Sequence, residues 1–298
     1  MAKAPLWLTS QDSKLWPALS RVSIIFGIVT PIVAIVAFVA TGQLSVPAII
    51  LSVYICVLVT VLLVLLLRQE NRYLREARYA PAMLPMRKAY GEIANASWNL
   101  FQNESSQDAF RVRLRESLRR FAEAFTLITG SQCRACIKVI QAATEPVVSQ
   151  DLVVSTLCRD NEGVEPPRHT PDRIGDNTDF KQIFTENKTC FFSNDLIGQL
   201  NHGYRNSHWQ ESDIENGMLD YVATIVWPIE RGDTSPFDQQ AHREIIGFLC
   251  VDTLQKGSFL QTYDDALGAA FAQALYLAIY RFRSVHMAQD RRVRGETN

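Results

Sequence analysis

Two long uncharged stretches near the N-terminus constrain this chain more than any other feature. Residues 22–40 and residues 48–67 contain no charged side chain, and a short turn joins them. A helix that crosses the hydrocarbon core of a bilayer needs roughly 20 apolar residues, and unpaired backbone polar groups are too costly in lipid for other open structures. Residues 22–67 are therefore predicted to form a two-helix transmembrane hairpin. The alternative is a buried hairpin in a soluble core, which the length and the absence of charge disfavour.

Basic residues flank the hairpin on both sides, and the turn between its helices carries no charge. Cytoplasmic segments next to membrane spans are enriched in Lys and Arg. The flanking basic residues are Lys3, Lys14 and Arg21 before the first helix and Arg68, Arg72, Arg75 and Arg78 after the second. This pattern predicts a multi-pass protein of the inner (cell) membrane with both termini in the cytoplasm.

The chain has 298 residues, which is enough for the hairpin and one soluble domain. Pro81 and Pro85 are predicted to interrupt the helix that leaves the membrane, because the residue before a proline avoids the helical conformation. The predicted organisation is a cytoplasmic N-terminal tail (1–21), the transmembrane hairpin (22–67), a basic helical linker with a proline joint (68–105), a soluble domain (106–285) and a C-terminal tail (286–298).

Composition and motifs exclude several kinds of site. The formal net charge is −1, so no nucleic acid is expected as a partner. Of the six cysteines, Cys133 and Cys136 form a lone C-x-x-C without the second pair or the paired histidines of zinc sites. Both are predicted to be buried free thiols. Since no nucleophile–base motif or phosphate-binding glycine loop is present, the sequence predicts no enzyme, no cofactor and no metal site.

The soluble part alternates between helical and strand patterns. Ser105 or Ser106 is predicted to cap a helix that ends at Gly130, and the apolar residues of this helix repeat every three or four positions. The predicted strands are 133–140, 152–158, 190–192, 221–229 and 244–253, and further helices are predicted at 179–186 and 263–283. Clustered strands between long helices predict an α+β fold with helices packed on one face of an antiparallel sheet.

Three segments in the second half of this domain resemble the GAF family. Residues 221–229 (YVATIVWPI) resemble its penultimate core strand, and residues 246–253 (IGFLCVDT) resemble its last strand. Phe259, followed by Tyr263, Asp264 and Asp265, resembles the start of its last helix. The resemblance covers residues 108–283 and implies a GAF-like antiparallel sheet with flanking helices.

The resemblance also implies a ligand pocket, because GAF domains hold small molecules, often cyclic nucleotides, between the sheet and the loops that cross it. Asn194 and Asp195 end a predicted strand and are suited to accept hydrogen bonds from a base or ribose, and Tyr204 is suited to stack on a ring. The alternative is that Asn-Asp forms a turn and that Tyr204 packs in the core. The candidate ligand-binding residues are Phe192, Asn194, Asp195, Tyr204, Asn206, His208 and Thr224.

The sequence departs from two branches of the family. Cyclic-nucleotide phosphodiesterase members carry Asn-Lys after the last strand, where this chain has Asp252-Thr253, so cyclic-nucleotide binding in that style is unsupported. Another branch reduces free methionine sulfoxide with cysteines, which requires an exposed thiol of lowered pKa. Cys158, Cys190 and Cys250 lie in or at the end of predicted strands and are expected in the core, so this activity is not predicted.

Two functions remain open. In the first, a small molecule, with a nucleotide second messenger as the candidate, binds the pocket, and the coupled spans act on the bilayer. Two-span effectors of bacterial antiphage signalling are similar in plan, so a membrane-acting defence effector is one hypothesis. In the second, the chain is a membrane-tethered dimerisation scaffold without a ligand, and Tyr276, Leu277 and Tyr280 provide a contact face. Both imply a homodimer or a higher homo-oligomer at the membrane.

Overall fold

The computed structural model describes positions 36, 46–102, 106–141, 151–161, 172–207, 209, 212, 214, 216, 219–231 and 243–293. The chain divides into two compact units, Met1–Ala77 and Arg78–Asn298. The N-terminal tail (1–21) and, apart from Val36, the first predicted membrane span (22–40) lie outside the described residues.

The first unit contains helix α1, Val46–Ala77, which includes the second predicted span. Most of its large apolar side chains between Val53 and Leu66 are exposed. A helical stretch that starts at Val53 is long and apolar enough to cross a membrane, and none of its apolar window is buried. Within the described residues it is the one stretch with this property, which is a matter of length and composition. The helical conformation of residues 48–67 agrees with the prediction, while the hairpin and its insertion stay predictions.

The second unit opens with helix α2, Tyr79–Phe101. The prediction that Pro81 and Pro85 interrupt the helix is wrong. Pro81 lies in the first turn, where backbone N–H groups have no intrahelical partner. Pro85 lies one turn further on, among side chains that are buried in the core, so packing outweighs the lost hydrogen bond. The buried residues of α2 are Ala82, Pro85, Met86, Ala89, Ile93, Ala96 and Leu100.

Helix α3, Gln107–Thr129, has the caps that the sequence predicts. The Ser106 hydroxyl accepts a hydrogen bond from the backbone N–H of Ala109 at 3.2 Å. Gly130 adopts the left-handed conformation, with φ of 74°, that ends a helix favourably. Helix α3 packs against α2, and Ser117 donates a hydrogen bond to the Ala89 carbonyl oxygen at 2.8 Å. The compact unit therefore begins at Arg78, earlier than the predicted domain start at residue 106.

The second unit is built around a six-stranded antiparallel sheet. The strands are β1 Cys133–Ile140, β2 Val153–Arg159, β3 Asp172–Arg173, β4 Phe191–Ser193, β5 Ala223–Glu230 and β6 Ile245–Thr253. Among the described residues, further α-helices are α4 Thr178–Phe184, α5 Leu196–Leu200 and α6 Gln261–Val293. The order across the sheet is β3-β2-β1-β6-β5-β4, so β1 and β6 lie at the centre.

Each face of the sheet has its own cover. On one face, apolar residues such as Ile137, Ile225 and Trp227 join a core with the three long helices α2, α3 and α6. On the other face, the short helices α4 and α5 contribute apolar side chains, and part of the surface stays polar. The antiparallel sheet with flanking helices confirms the predicted α+β architecture, but helices lie on both faces and not on one, because the short helices α4 and α5 cover apolar residues of the second face. Helix α6 continues to Val293, beyond its predicted end at residue 283.

Candidate functional site

A cavity of about 520 Å³ lies on the sheet face opposite the long helices. Its lining comes from β1, β2, β5 and β6, from α4, and from the segments that contain Asn177, Asn206 and Tyr221. Small-molecule sites in proteins usually enclose roughly 300–1,000 Å³. The cavity is therefore large enough for a ligand of nucleotide or amino-acid size.

Alternate residues of the central strands face this cavity, because side chains alternate between the two faces of a strand. Arg134 of β1 lies opposite Asp252 of β6, and Asp252 lies opposite Thr224 of β5. All three line the cavity, and we call them the charged row. Thr224 donates a hydrogen bond to the Asp252 carboxylate at 2.5 Å. Arg134 donates one to the carbonyl oxygen of Asp220.

A second set of side chains runs beside the charged row. Cys136 of β1 lies between Arg159 of β2 and Cys250 of β6. On its other side, Cys250 lies opposite Val226 of β5. These four residues also line the cavity, and we call them the thiol row. The floor of the cavity thus combines two guanidinium groups, one carboxylate and two thiols.

Lys138 forms a buried ion pair at one end of the floor. Its ammonium group contacts the Asp172 carboxylate on β3, and the two side chains are 11% and 6% exposed. The same ammonium lies 5.1 Å from the centre of the Phe180 ring. Burial acts to lower the pKa of Lys138, but the charge of Asp172, the neighbouring Cys136 and Cys250 thiols and the hydrogen bond to Asp172 together outweigh it, so the net shift is upward. Lys138 is therefore charged at neutral pH.

Three acidic residues line the cavity, Asp160, Asp179 and Asp252, and burial raises the pKa of each. Asp179 accepts a hydrogen bond from the Phe180 backbone N–H at 2.8 Å. Burial raises the pKa of Asp179 to about 6, and Lys138 opposes this rise. Burial also raises the pKa of Asp252, against the hydrogen bond from Thr224. Both groups ionise at a cost that a cationic or N–H-donating ligand would reduce.

Of the seven residues predicted to bind a ligand, the structure brings two to the cavity. Thr224 belongs to the charged row, and Asn206 lines the side formed by the segment before β5. The Asn206 amide donates a hydrogen bond to the Tyr221 hydroxyl at 2.6 Å, and Tyr221 also lines the cavity. His208 lies outside the described residues.

Asn194 and Asp195 have structural partners instead. The Asn194 amide donates to the Phe259 carbonyl oxygen, and its oxygen accepts from the Phe259 backbone N–H, both at 2.9 Å. Asp195 accepts a hydrogen bond from the Gly198 N–H at the start of α5 and forms an ion pair with Lys256. The turn interpretation of Asn-Asp therefore describes these contacts, and neither residue lines the cavity.

The two aromatic candidates also lie outside the cavity lining. Phe192 packs on the helix-covered face, with its ring centre 6.5 Å from that of Phe259. Because neighbouring strand residues point to opposite faces, it is Phe191 that faces the cavity side, where it stacks on Tyr204 at 5.7 Å. Tyr204 is buried in that cluster, as the core-packing alternative expects.

Sequence reasoning missed most of the charged lining. Arg134, Cys136 and Lys138 occupy every second position of β1, and this alternation in an apolar strand was the available signal. Asp179 and Asp252 are single acids next to apolar residues and give no comparable pattern. Cys136 and Cys250 are buried as predicted, but both also line the cavity.

Comparison with known proteins gives similarities of fold only. No protein-family profile and no curated protein matches the chain. Among solved structures, it is similar to the GAF domain of an Acinetobacter phosphoenolpyruvate-protein phosphotransferase, with 11% identity, 65% of this chain and 94% of that chain covered, and a TM-score of 0.40. A GAF domain from a Coxiella burnetii phosphoenolpyruvate-protein phosphotransferase has 14% identity, coverages of 66% and 98%, and a TM-score of 0.40.

A third similar structure is the free methionine-R-sulfoxide reductase from Neisseria meningitidis in complex with its substrate. It has 13% identity, coverages of 70% of this chain and 93% of that chain, and a TM-score of 0.41. At these identities and TM-scores, the similarities transfer neither a family nor an activity to this chain.

Proposed function

We propose that this protein is a membrane-anchored, GAF-type sensor that binds a small molecule in the cavity and signals through its transmembrane hairpin. The observation that carries the proposal is the cavity of about 520 Å³ with buried charged groups in its lining. Ionisation of Asp179 and Asp252 is unfavourable, since burial raises the pKa of each. Buried, perturbed groups in a cleft are typical of functional sites.

The lining favours a ligand that carries both hydrogen-bond donors and an anionic group. Its basic residues are Arg134, Lys138 and Arg159, and its acidic residues are Asp160, Asp179 and Asp252. A ligand with several phosphates would bring anionic groups close to the three carboxylates of the lining, whereas a single anionic group can be held by the guanidinium groups of Arg134 and Arg159. Among nucleotide second messengers, we therefore favour a cyclic mononucleotide, with its phosphate at Arg134 and Arg159 and its base amino group at Asp179 or Asp252.

The membrane part of the proposal rests on the sequence and on α1. The exposed apolar side chains of α1 suit a lipid environment, and the basic residues that flank residues 22–67 favour cytoplasmic termini at the inner membrane. A role as a membrane-acting defence effector rests on similarity of plan alone. It predicts that bacteria carrying the wild-type gene resist phage and that an Asp252→Asn variant does not.

The ligand proposal is tested by thermal shift of the full chain in detergent. The probes are cyclic AMP, cyclic GMP, cyclic dinucleotides, larger cyclic oligonucleotides and the common amino acids. A ligand at about 100 times its Kd stabilises the folded state by about 2.7 kcal/mol, which raises the melting temperature by roughly 5–10 °C. The shift is expected to disappear in Asp252→Asn and to persist in Asp195→Asn, since Asp195 lies outside the cavity lining. Absence of a shift with every probe contradicts the proposal.

A ligand-free dimerisation scaffold is the second candidate, and exposed apolar residues on α6 favour it. Leu277 is 69% exposed and Tyr280 is 48% exposed, whereas Tyr276 is only 6% exposed and contributes little to such a face. Replacing residues 22–67 by an unrelated two-span anchor separates the two functions. Retained cellular activity favours the scaffold, and lost activity favours signalling through the hairpin.

A further inference from the structure

The two thiols of the thiol row face each other across the centre of the sheet. Cys136 of β1 and Cys250 of β6 are directly opposed in the antiparallel register, and both line the cavity. Directly opposed residues in antiparallel strands have Cα atoms about 4.5–5.5 Å apart. Disulfides form at Cα separations of about 4.4–6.8 Å. The backbone of the two central strands is therefore already placed for a disulfide.

We propose that Cys136 and Cys250 form a redox-active thiol pair. Hydrogen peroxide enters the cavity and oxidises the pair to a reversible disulfide. The inference goes beyond the proposed function and does not depend on it, because oxidation requires only access to the cavity. Nothing larger than a peroxide is needed, and the two sulfur atoms face a space of about 520 Å³.

The surroundings give the two thiols different roles. A hydrogen bond from the Cys250 thiol lowers the pKa of Cys136, burial opposes this effect, and the Lys138 charge adds to it. The same hydrogen bond and burial raise the pKa of Cys250 well above its ordinary value. The thiolate is the reactive form of cysteine. Cys136 also lies directly opposite Arg159 and two positions from Lys138 on its own strand, whereas Cys250 lies opposite Val226. The cationic neighbours make Cys136 the attacking sulfur, and Cys250 is the resolving thiol.

The chemistry balances in two steps. The Cys136 thiolate attacks one oxygen of hydrogen peroxide, the O–O bond breaks, and sulfenic acid forms while the leaving hydroxide takes up a proton to become water. The Cys250 thiol then attacks the Cys136 sulfur, the S–O bond breaks, and the oxygen leaves with the Cys250 proton as a second water. In sum, two thiols and one peroxide give one disulfide and two waters, and a dithiol reductant reverses the change.

The other described cysteines supply internal controls. Cys133, Cys158 and Cys190 lie on the helix-covered side of the sheet, away from the cavity. Burial raises the pKa of Cys133 to about 11 and that of Cys158 to about 12. The Cys133 sulfur also lies 3.4 Å from the Thr129 hydroxyl oxygen. Cys133→Ala therefore removes a thiol from the same strand without touching the proposed pair.

The test treats the reduced full chain in detergent with hydrogen peroxide, blocks the remaining thiols with iodoacetamide, and maps peptides by mass spectrometry. The expected result is a loss of two blockable thiols and a linked peptide pair containing Cys136 and Cys250, which dithiothreitol separates. In the Cys250→Ser variant, the reaction is expected to stop at a sulfenic acid on Cys136, which dimedone detects. Cys136→Ser is expected to abolish both products, and Cys133→Ala is expected to form the disulfide at an unchanged rate.

The wild-type peptide map needs no variant, so a variant that fails to fold does not remove the test. Two results overturn the inference. One is that Cys136 and Cys250 both stay blockable after peroxide has oxidised exposed methionines. The other is that the disulfide joins a different pair of cysteines.

Discussion

The carboxylate of Asp179 is buried, and burial disfavours its ionised form. The stability of the protein should therefore depend on the protonation of this single residue. Burial raises the pKa to about 6 from 3.8, and the charged groups that act on Asp179 are Lys138, Asp252 and Asp172. Between these two pH values the folded chain binds more protons than the unfolded chain, so stability falls as the pH rises through this window. The penalty is complete above about pH 6 and absent below about pH 4.

Asp179→Asn is therefore expected to stabilise the protein at pH 7.5 by on the order of 3 kcal/mol, because it removes the charge and keeps an acceptor for the Phe180 N–H. The gain is expected to vanish towards pH 4. Melting curves of both proteins from pH 4 to pH 8 measure it. Asp176→Asn is the control, since Asp176 is exposed on the turn before α4. A destabilised Asp179→Asn protein at pH 7.5 would show that the carboxylate is held by partners.

Lys138 and Asp172 give the opposite prediction, because each is the buried counter-ion of the other. Lys138→Met removes the buried ammonium group that pairs with the Asp172 carboxylate and is expected to cost about 3–5 kcal/mol. The double variant Lys138→Met, Asp172→Asn removes both charges and is expected to recover most of that loss. Chemical denaturation of the three proteins gives the comparison. A double variant as unstable as the single one would mean that the charges are not coupled.

The sequence identified some residues of the cavity lining and wrongly suggested others. Thr224 and Asn206 were found because the GAF resemblance placed them near a pocket, and both line the cavity. Asn194 and Asp195 were suggested by the same resemblance, but their side chains are occupied by Phe259 and by the N-terminus of α5. A polar residue at a strand end has the same sequence pattern whether it binds a ligand or stabilises a turn. Only its three-dimensional contacts distinguish these two roles.

At the scale of elements, the contact between α6 and the sheet depends on a glycine. A Cβ atom at Gly268 would lie 2.1 Å from the Trp227 ring, which is fully buried and donates hydrogen bonds to the Asp265 carbonyl oxygen at 3.1 Å and to its carboxylate at 3.0 Å. Gly268→Ala is expected to destabilise the protein by about 1–3 kcal/mol, because α6 must move away from β5. Melting temperature measures the loss.

Gly91 provides the matched control for this substitution. It lies in helix α2, and a Cβ atom there would have no heavy atom within 4 Å. Gly91→Ala is expected to stabilise the protein by about 0.5–1 kcal/mol through helix propensity. Equal effects of the two substitutions would mean that α6 does not pack on Trp227 as described.

Periodicity predicted the long elements well and the short ones poorly. Helix α3 and strand β1 have the caps and bounds that the pattern predicts, because each holds an uninterrupted apolar repeat. The two-residue strand β3 and the five-residue helix α5 are too short to hold a repeat and depend on tertiary contacts. The local proline rule fails at the start of helix α2, because burial of the apolar face that follows stabilises the helix there.

At the scale of the whole molecule, the division into two units predicts where the chain can be cut. Residues 78–298 form one compact unit and are expected to express as a soluble protein with one cooperative melting transition, whereas the full chain is expected to sediment with membranes. A fragment of residues 106–298 is expected to aggregate, because it loses Met86, Ile93 and Leu100 from the core, each worth roughly 1.5–3 kcal/mol. Size-exclusion chromatography and melting curves compare the fragments. Equal stability of the two fragments would mean that the domain begins at residue 106 and that helix α2 is not part of its core.

Binding of a small molecule in the cavity can be measured by non-denaturing mass spectrometry of the full chain purified from its own host. The wild-type protein is expected to carry a bound small molecule. Asn206→Trp, which places a large ring at the cavity, is expected to lack it, and Asn216→Trp, at an exposed position outside the lining, is expected to keep it. A wild-type mass equal to that of the bare chain, or the same adduct on all three proteins, would show that the cavity is not a ligand site.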